Sequence, residues 1–294
     1  MTSLCNLRFY LRVGPIVSLF CALLPFGQCA IMAQTGHAQS DAILAQPYAD
    51  LARQLGQREG FEAWPARPEP GHLLQGLHRG SGITIGSYLT GQTPGILTQS
   101  NGERFDTLTN MTPDLPLSLA AVPRGQGLAI AHHRGFGSNA VFPLGPDGFG
   151  RISGRGEGSL AVLFDHDQRA TGFLVHSDYP DPLGSRAAMR GTVDVILLTR
   201  EGQILARRST PLEQGITAIG YATASGAPDI AAMVILNTDP GGIAIDDILY
   251  DGAALIGWRH HPGADGLQVS WQSGPGALLL MHAWQTAQIL PRHP

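Results

Sequence analysis

Residues 241–250 read Gly-Gly-Ile-Ala-Ile-Asp-Asp-Ile-Leu-Tyr. A glycine pair opens into apolar and β-branched residues, the pattern of a strand entered from a turn. Asp246 and Asp247 interrupt the run. Carboxylates in such a strand need a partner or a cation, because desolvating a lone charge is costly. Simple alternation places Ile245 and Asp247 on one face, with Asp246 and Ile248 on the other.

Upstream of this stretch, short apolar runs recur between glycines and prolines. They predict strands over 82–89, 117–122, 128–132, 159–164, 170–176, 192–199, 204–208, 216–222 and 230–236, with Glu201-Gly202 as a hairpin turn. Long amphipathic helices do not intervene, which argues against a βαβ fold. The expectation is an all-β protein: a jelly-roll-like antiparallel β-sandwich over 60–252, with a short C-terminal extension over 253–294. Residues 48–55 are expected to form two helical turns in a leader segment over 39–59. The glycine-dense stretch 134–158 reads as a long loop. Its Gly-x-Gly pieces lack the following helix of a phosphate-binding turn.

Composition narrows the function classes. The net charge of −4 offers no electrostatic case for nucleic acid or an anionic membrane. All 19 basic residues are arginines, so lysine Schiff bases and lysine general bases are excluded. The N-terminal residues have the pattern of a targeting segment. Arg8 and Arg12 precede an apolar run over 13–26, and Gly36-His37-Ala38 fits a small-x-small cleavage site. The expectation is a signal peptide over 1–38, no membrane span after its removal, and export to the periplasm or beyond. Cys5, Cys21 and Cys29 all fall within that segment, so the mature chain would carry no thiol and no disulfide.

Several acidic clusters are candidates for chemistry. If the first and last strands of the sandwich are neighbours, Gly60-Phe61-Glu62 meets Asp246-Asp247. Glu62, Asp246 and Asp247 are then candidate ligands of a calcium ion, which takes oxygen donors; the alternative is that Asp246 and Asp247 cap a strand end or bond to backbone amides. Asp165 and Asp167, with His176, Asp178 and Tyr179, form a second polar cluster at strand ends. It could bind a metal or line a sugar site, with Tyr179, Trp64 or Trp258 stacking on the ring; two acidic turns are the plainer reading. The pairs His132-His133 and His260-His261 read as surface histidines. There is no Gly-x-Ser-x-Gly and no His-Glu-x-x-His. Glu157 and Asp165 are the first carboxylates to consider for glycoside hydrolysis.

Residues 60–62 and 245–248 together resemble the bracketing motifs of jelly-roll carbohydrate-binding modules and related galactose-binding-like sandwiches. The order of 161–164, Gly172-Phe173, 193–199, Glu201-Gly202 and 241–248 is similar to domains of bacterial exported proteins, often anchored by a C-terminal sorting signal. After the last apolar run only Arg292 and His293 remain, without the basic cluster of such a signal. The resemblance implies that Glu62 and Asp247 hold a structural calcium, with Asp246 as the alternate. It also implies a non-catalytic binding or adhesion module of the cell envelope whose partner is a glycan or envelope component. A glycan-active enzyme and a purely structural envelope protein are the competing expectations.

Overall fold

The computed structural model of the chain describes residues 42–177 and 191–252. The expected signal peptide and C-terminal extension lie outside the described residues, as do Asp178, Tyr179, Trp258 and His260-His261.

In chain order the elements are β1 (Ile43–Ala45), α1 (Tyr48–Gln54), β2 (Gln57–Glu59), β3 (His72–Leu73), β4 (His78–Arg79), β5 (Ile83–Gly86), β6 (Thr93–Thr98), β7 (Arg104–Asn110), β8 (Gly127–His133) and β9 (Ser138–Leu144). There follow β10 (Leu160–Gln168), β11 (Ala170–Ser177), β12 (Thr192–Leu198), β13 (Ile204–Pro211), β14 (Gly215–Thr223), β15 (Ile230–Asn237) and β16 (Ile243–Tyr250). One sheet runs β1-β14-β11-β16-β9-β8-β3, with β2 also paired to β16; a second runs β13-β12-β15-β10-β5-β4; β6 and β7 form a separate hairpin. The fold is all-β, two main antiparallel sheets packed as a sandwich.

The main core lies between the sheets. Leu160, Val162 and Phe164 of β10 and Val193, Val195 and Leu197 of β12 meet Phe173, Val175, Ile243, Ile245, Ile248 and Tyr250 from the opposite sheet. The outer faces are covered too. Leu89, Leu108 and Leu117 pack over Ala161, Ile196, Ala231 and Val234, and Leu51 of α1 and Leu55 just after it lie on Ala170 and Leu249. Double coverage explains why β15 is buried along its whole length and reads as an unbroken apolar run.

Three sequence expectations change. Residues 43–59 are no detached leader: β1 pairs with β14, and β2 with β16, so the sheet begins at Ile43. Residues 117–122 contribute only an isolated bridge, Leu89 to Leu119, because their apolar side chains cap the outer face of the second sheet. The glycine-dense stretch contains the central strand β9, whose apolar residues 140–144 are buried. Loop chemistry is confined to its flanks, where the 3₁₀ turn Ile152–Gly154 lies.

The alternation expected for β16 is also wrong in phase. Leu174 pairs with Asp246 but Gly172 pairs with Leu249, so β16 carries one residue more than β11 over this interval. The extra residue is Asp247, in the left-handed region at φ 51°. This is a β-bulge. It lets Ile248 follow Ile245 into the core, while Asp247 is left at the strand's unpaired step.

Candidate functional site

Pairing of β2 with β16 puts Glu59 opposite Ile248 and Arg58 opposite Leu249. The chain leaving β2, residues 60–62, therefore passes directly beside the bulge. Gly60 makes this approach possible. A Cβ there would lie 3.2 Å from Asp247 Oδ1 and 3.7 Å from Asp246 Oδ1, so both carboxylates share the space above its Cα. Phe61 is fully buried at φ 61°. Among the described residues, Phe61 and Asp247 are the non-glycine residues with positive φ. Two such conformations at one seam, each costing about 1–3 kcal/mol, mark a place that the surrounding structure holds against its local preference.

The restraints are specific. Asp246 is buried; its Oδ2 accepts from Ser138 Oγ at 2.6 Å and its Oδ1 from the Asp247 amide at 2.7 Å. Burial, with the charges of Asp247 and Glu62, pushes its carboxyl up to about 7 against those two hydrogen bonds. Burial also raises Asp247, helped by the Glu62 charge and opposed by Arg58. Arg58 Nη1 lies 2.9 Å from Asp247 Oδ2, but half of its side chain is in solvent, so the pair contributes little. Tyr48 of α1 donates to the Asp247 carbonyl at 3.0 Å. Glu62 Oε1 accepts from the Asn139 amide at 2.8 Å.

Glu62, Asp246 and Asp247 are thus brought to one seam. Among the described residues no three acidic, histidine or cysteine side chains form a closed metal-binding group. The donor set still suits a hard cation. Every side-chain donor is oxygen, and Asp247 Oδ1 and Glu62 Oε2 accept no hydrogen bond among the described residues.

The other candidates fall elsewhere. Asp165 is exposed on β10. Asp167 accepts from Arg200 Nε at 2.9 Å and Nη2 at 2.6 Å, so its charge is matched by two donors of one guanidinium. The expectation that His132-His133 are surface groups fails for His133, which is 1% exposed. Its ring packs edge-on against His176, with centroids 4.6 Å apart, and against Phe136 and Phe142, while Nδ1 lies 3.3 Å from Glu69. Position 133 shares the outer sheet face with Ala129 and Ala131, which the turn carrying Phe136 covers.

Glu157 is buried beneath the glycine-rich segment. Gly242 makes room for it: a Cβ there would sit 3.1 Å from Glu157 Oε1 and 2.5 Å from the Arg155 carbonyl. Burial, with the charges of Asp239, Glu103 and Asp147, pushes the Glu157 carboxyl up to about 8. The Glu157 carbonyl accepts from the Asp106 amide at 2.9 Å. Asp106 is a carboxylate that no sequence motif singles out. It lies on β7, its Oδ2 accepts from the Ser159 amide and hydroxyl, and burial pushes it up to about 6. Asn101-Gly102, in the turn joining β6 to β7, is the sequence signal that marks this hairpin.

No family model matches the chain, and no curated protein matches it. Among solved structures, CsCBM6-3 from Clostridium stercorarium in complex with cellobiose is 13% identical at a TM-score of 0.25, covering 43% of this chain and 82% of that one. Arabinose-bound MgGH51 α-L-arabinofuranosidase is 15% identical at a TM-score of 0.25, covering 42% and 22%. The enzymatically active domain of bacteriophage CBA120 tailspike protein 4 is 13% identical at a TM-score of 0.24, covering 58% and 19%. The chain thus spans about a fifth of the latter two, and likeness at this level carries no statement about what this chain binds.

Proposed function

We propose that the chain is an exported, non-catalytic binding module of the cell envelope, with a glycan as ligand and a structural calcium at the seam between β2 and β16. The observation that carries the calcium is the pair of aspartate carboxylates sharing the space above Gly60, with Glu62 close enough for its charge to act on both. Asp246, Asp247 and Glu62 would hold the ion. The ion would supply charge compensation for carboxylates that burial otherwise penalises, and it would tie the start of the sandwich to its last strand. The arrangement serves architecture: Asp246 is buried, and its oxygens point at backbone and serine donors. Export rests on the signal-like pattern of residues 1–38.

Calcium is expected to raise the melting temperature and chelation to lower it, with a stabilisation near 2.7 kcal/mol when free calcium is about 100 times Kd. Gly60→Ala is the sharper probe. It leaves every carboxylate in place but puts a methyl group into their shared space, so the calcium-dependent part of the melting shift should vanish. Glu62→Ala and Asp247→Ala should each reduce it. A wild-type melting curve indifferent to both calcium and chelator sinks the calcium reading.

A further inference from the structure

A cavity of about 250 Å3 lies where the ends of β5 and β9 and the start of β8 meet the β6–β7 hairpin. None of the carboxylates singled out from sequence lines it. Its walls carry the half-buried Tyr88, with Pro94, Ile96, Leu144 and Pro146. Three polar residues line it: Ser87, Asp106 and Gln126.

Ser87 is the informative member. The residue lines the cavity and is 4% exposed; its hydroxyl is turned behind the wall and has no hydrogen-bond partner there, so a rotation of the side chain is what brings it to the cavity. A buried hydroxyl without a partner loses its water and gains nothing, so native proteins rarely leave one unless something visits the site. Gly127 lets Val122 close in on this wall: a Cβ at 127 would lie 2.8 Å from Val122 Cγ2. Asp106 commits Oδ2 to Ser159, and no hydrogen bond engages Oδ1 among the described residues. Gln126, exposed at the mouth, offers an amide that both donates and accepts.

We propose that this cavity holds one uncharged pyranose unit, packed on Tyr88 and hydrogen-bonded through its hydroxyls to Asp106 and Gln126, and to Ser87 once its side chain rotates toward the ring. The proposal rests on the glycan-binding reading above and gives that reading its site. An aromatic wall suits the C–H face of a sugar ring. A carboxylate oxygen accepts from hydroxyl groups, while a serine hydroxyl and an amide each donate and accept. The volume lies below the roughly 300–1,000 Å3 of sites for drug-sized ligands, which limits the occupant to about a single ring. The rest of a chain has a way out. A shallower depression lined by Arg124, Phe149 and Gly150 shares Gln126 and Pro146 with the cavity, so the bound unit is the end of a longer glycan.

The test is saturation-transfer NMR and calorimetry on the full chain. The probes are glucose, galactose, mannose, xylose and N-acetylglucosamine, each free and as its β-linked disaccharide. At least one of these is expected to bind saturably, with the disaccharide no weaker than its monosaccharide. Tyr88→Ala and Asp106→Asn should each weaken it about tenfold or more. Asp106→Asn also disturbs the Ser159 contacts, so Ile96→Trp serves as a second variant. Ile96 is half-exposed on the hairpin, and the larger ring would fill the cavity mouth without touching a hydrogen bond. Binding that survives both Ile96→Trp and Tyr88→Ala overturns the site. No saturable binding by any of the ten sugars overturns the proposal; a chelation-sensitive melting curve in the same protein would leave the calcium seam standing.

Discussion

Glu157→Gln is expected to raise the melting temperature at about pH 9 by roughly 5–10 °C and to flatten its dependence on pH. Glu157 is 5% exposed, and its carboxyl is pushed from 4.5 up to about 8, first by burial and then by the charges of Asp239, Glu103 and Asp147. The folded-state value lies above the unfolded one, so the folded protein holds the proton more tightly. Below the unfolded value both states are protonated and the full stability is present. Between 4.5 and about 8 unfolding releases a proton, and stability falls as pH rises. Above about 8 both states are ionised and the loss is complete. Each pH unit crossed in that interval costs about 1.4 kcal/mol, so the loss amounts to a few kcal/mol. Glutamine has the same shape and no charge, so it removes that slope. Glu157 Oε2 has no hydrogen-bond partner, and an amide nitrogen there would offset part of the gain, by about 1 kcal/mol. Melting curves between about pH 5 and 9 decide the matter. A variant whose melting temperature falls as steeply as the wild type's toward high pH would show that Glu157 is not the group responsible.

That carboxyl is visible in the sequence only as an acid in a run of glycines. What the run does not reveal is that Gly242, 85 residues further along and just before β16, closes over it. The same limit applies throughout. Strands with one dominant hydrophobic signature are legible because burial on both faces fills them with apolar residues: β15 is apolar from Ile230 to Leu236, and β12 and β16 remain recognisable although Asp194 breaks the one and Asp246-Asp247 the other. The β6–β7 hairpin is marked only by its Asn101-Gly102 turn. Pro94 and Gly95 weaken β6, and the exposed Ile96 and Leu97 mask its alternation. With its strands hidden, Asp106 and the cavity beneath it are hidden too. The meeting of residues 60–62 with Asp246-Asp247 can be anticipated from first-to-last strand pairing alone. Its phase cannot, because one extra residue at Asp247 inverts every alternation argument that crosses it. The link between Asp167 and Arg200 is hidden for a simpler reason: 33 residues separate them, and no local rule relates the two.

Asn139→Ala is expected to cost about 2–3 kcal/mol, a fall of roughly 5–10 °C in melting temperature, and to loosen the seam before the rest of the sandwich. Asn139 is 1% exposed, and its side-chain nitrogen donates to the carbonyls of Phe61 at 3.2 Å and Trp64 at 2.8 Å. Its own amide holds Glu62. The preceding residue, Ser138, holds Asp246. Alternation along β9 sends these two neighbours to opposite faces of the sheet, so the first two residues of one strand restrain both halves of the junction. The 60–64 segment is otherwise held by the buried Phe61 ring, by the Phe61 amide on Glu59 Oε1 at 3.0 Å and by Trp64 Nε1 on His78 at 3.4 Å, none of which ties its carbonyls to β9. Phe61 sits in a left-handed conformation that a free chain would leave, and the turn closes on a single backbone bond from the Trp64 amide to the Phe61 carbonyl at 3.1 Å. Truncating Asn139 leaves the Trp64 carbonyl without this donor, while the Phe61 carbonyl keeps only the Trp64 amide. Hydrogen exchange at the Phe61 and Trp64 amides should therefore accelerate more than exchange in β12 or β15, which share no bond with Asn139. If calcium closes the seam, the variant should also need more calcium to reach its melting plateau, because the ion must then order the segment that Asn139 no longer holds. Uniform acceleration across all strands would mean that Asn139 supports the whole fold and has no special part in the junction.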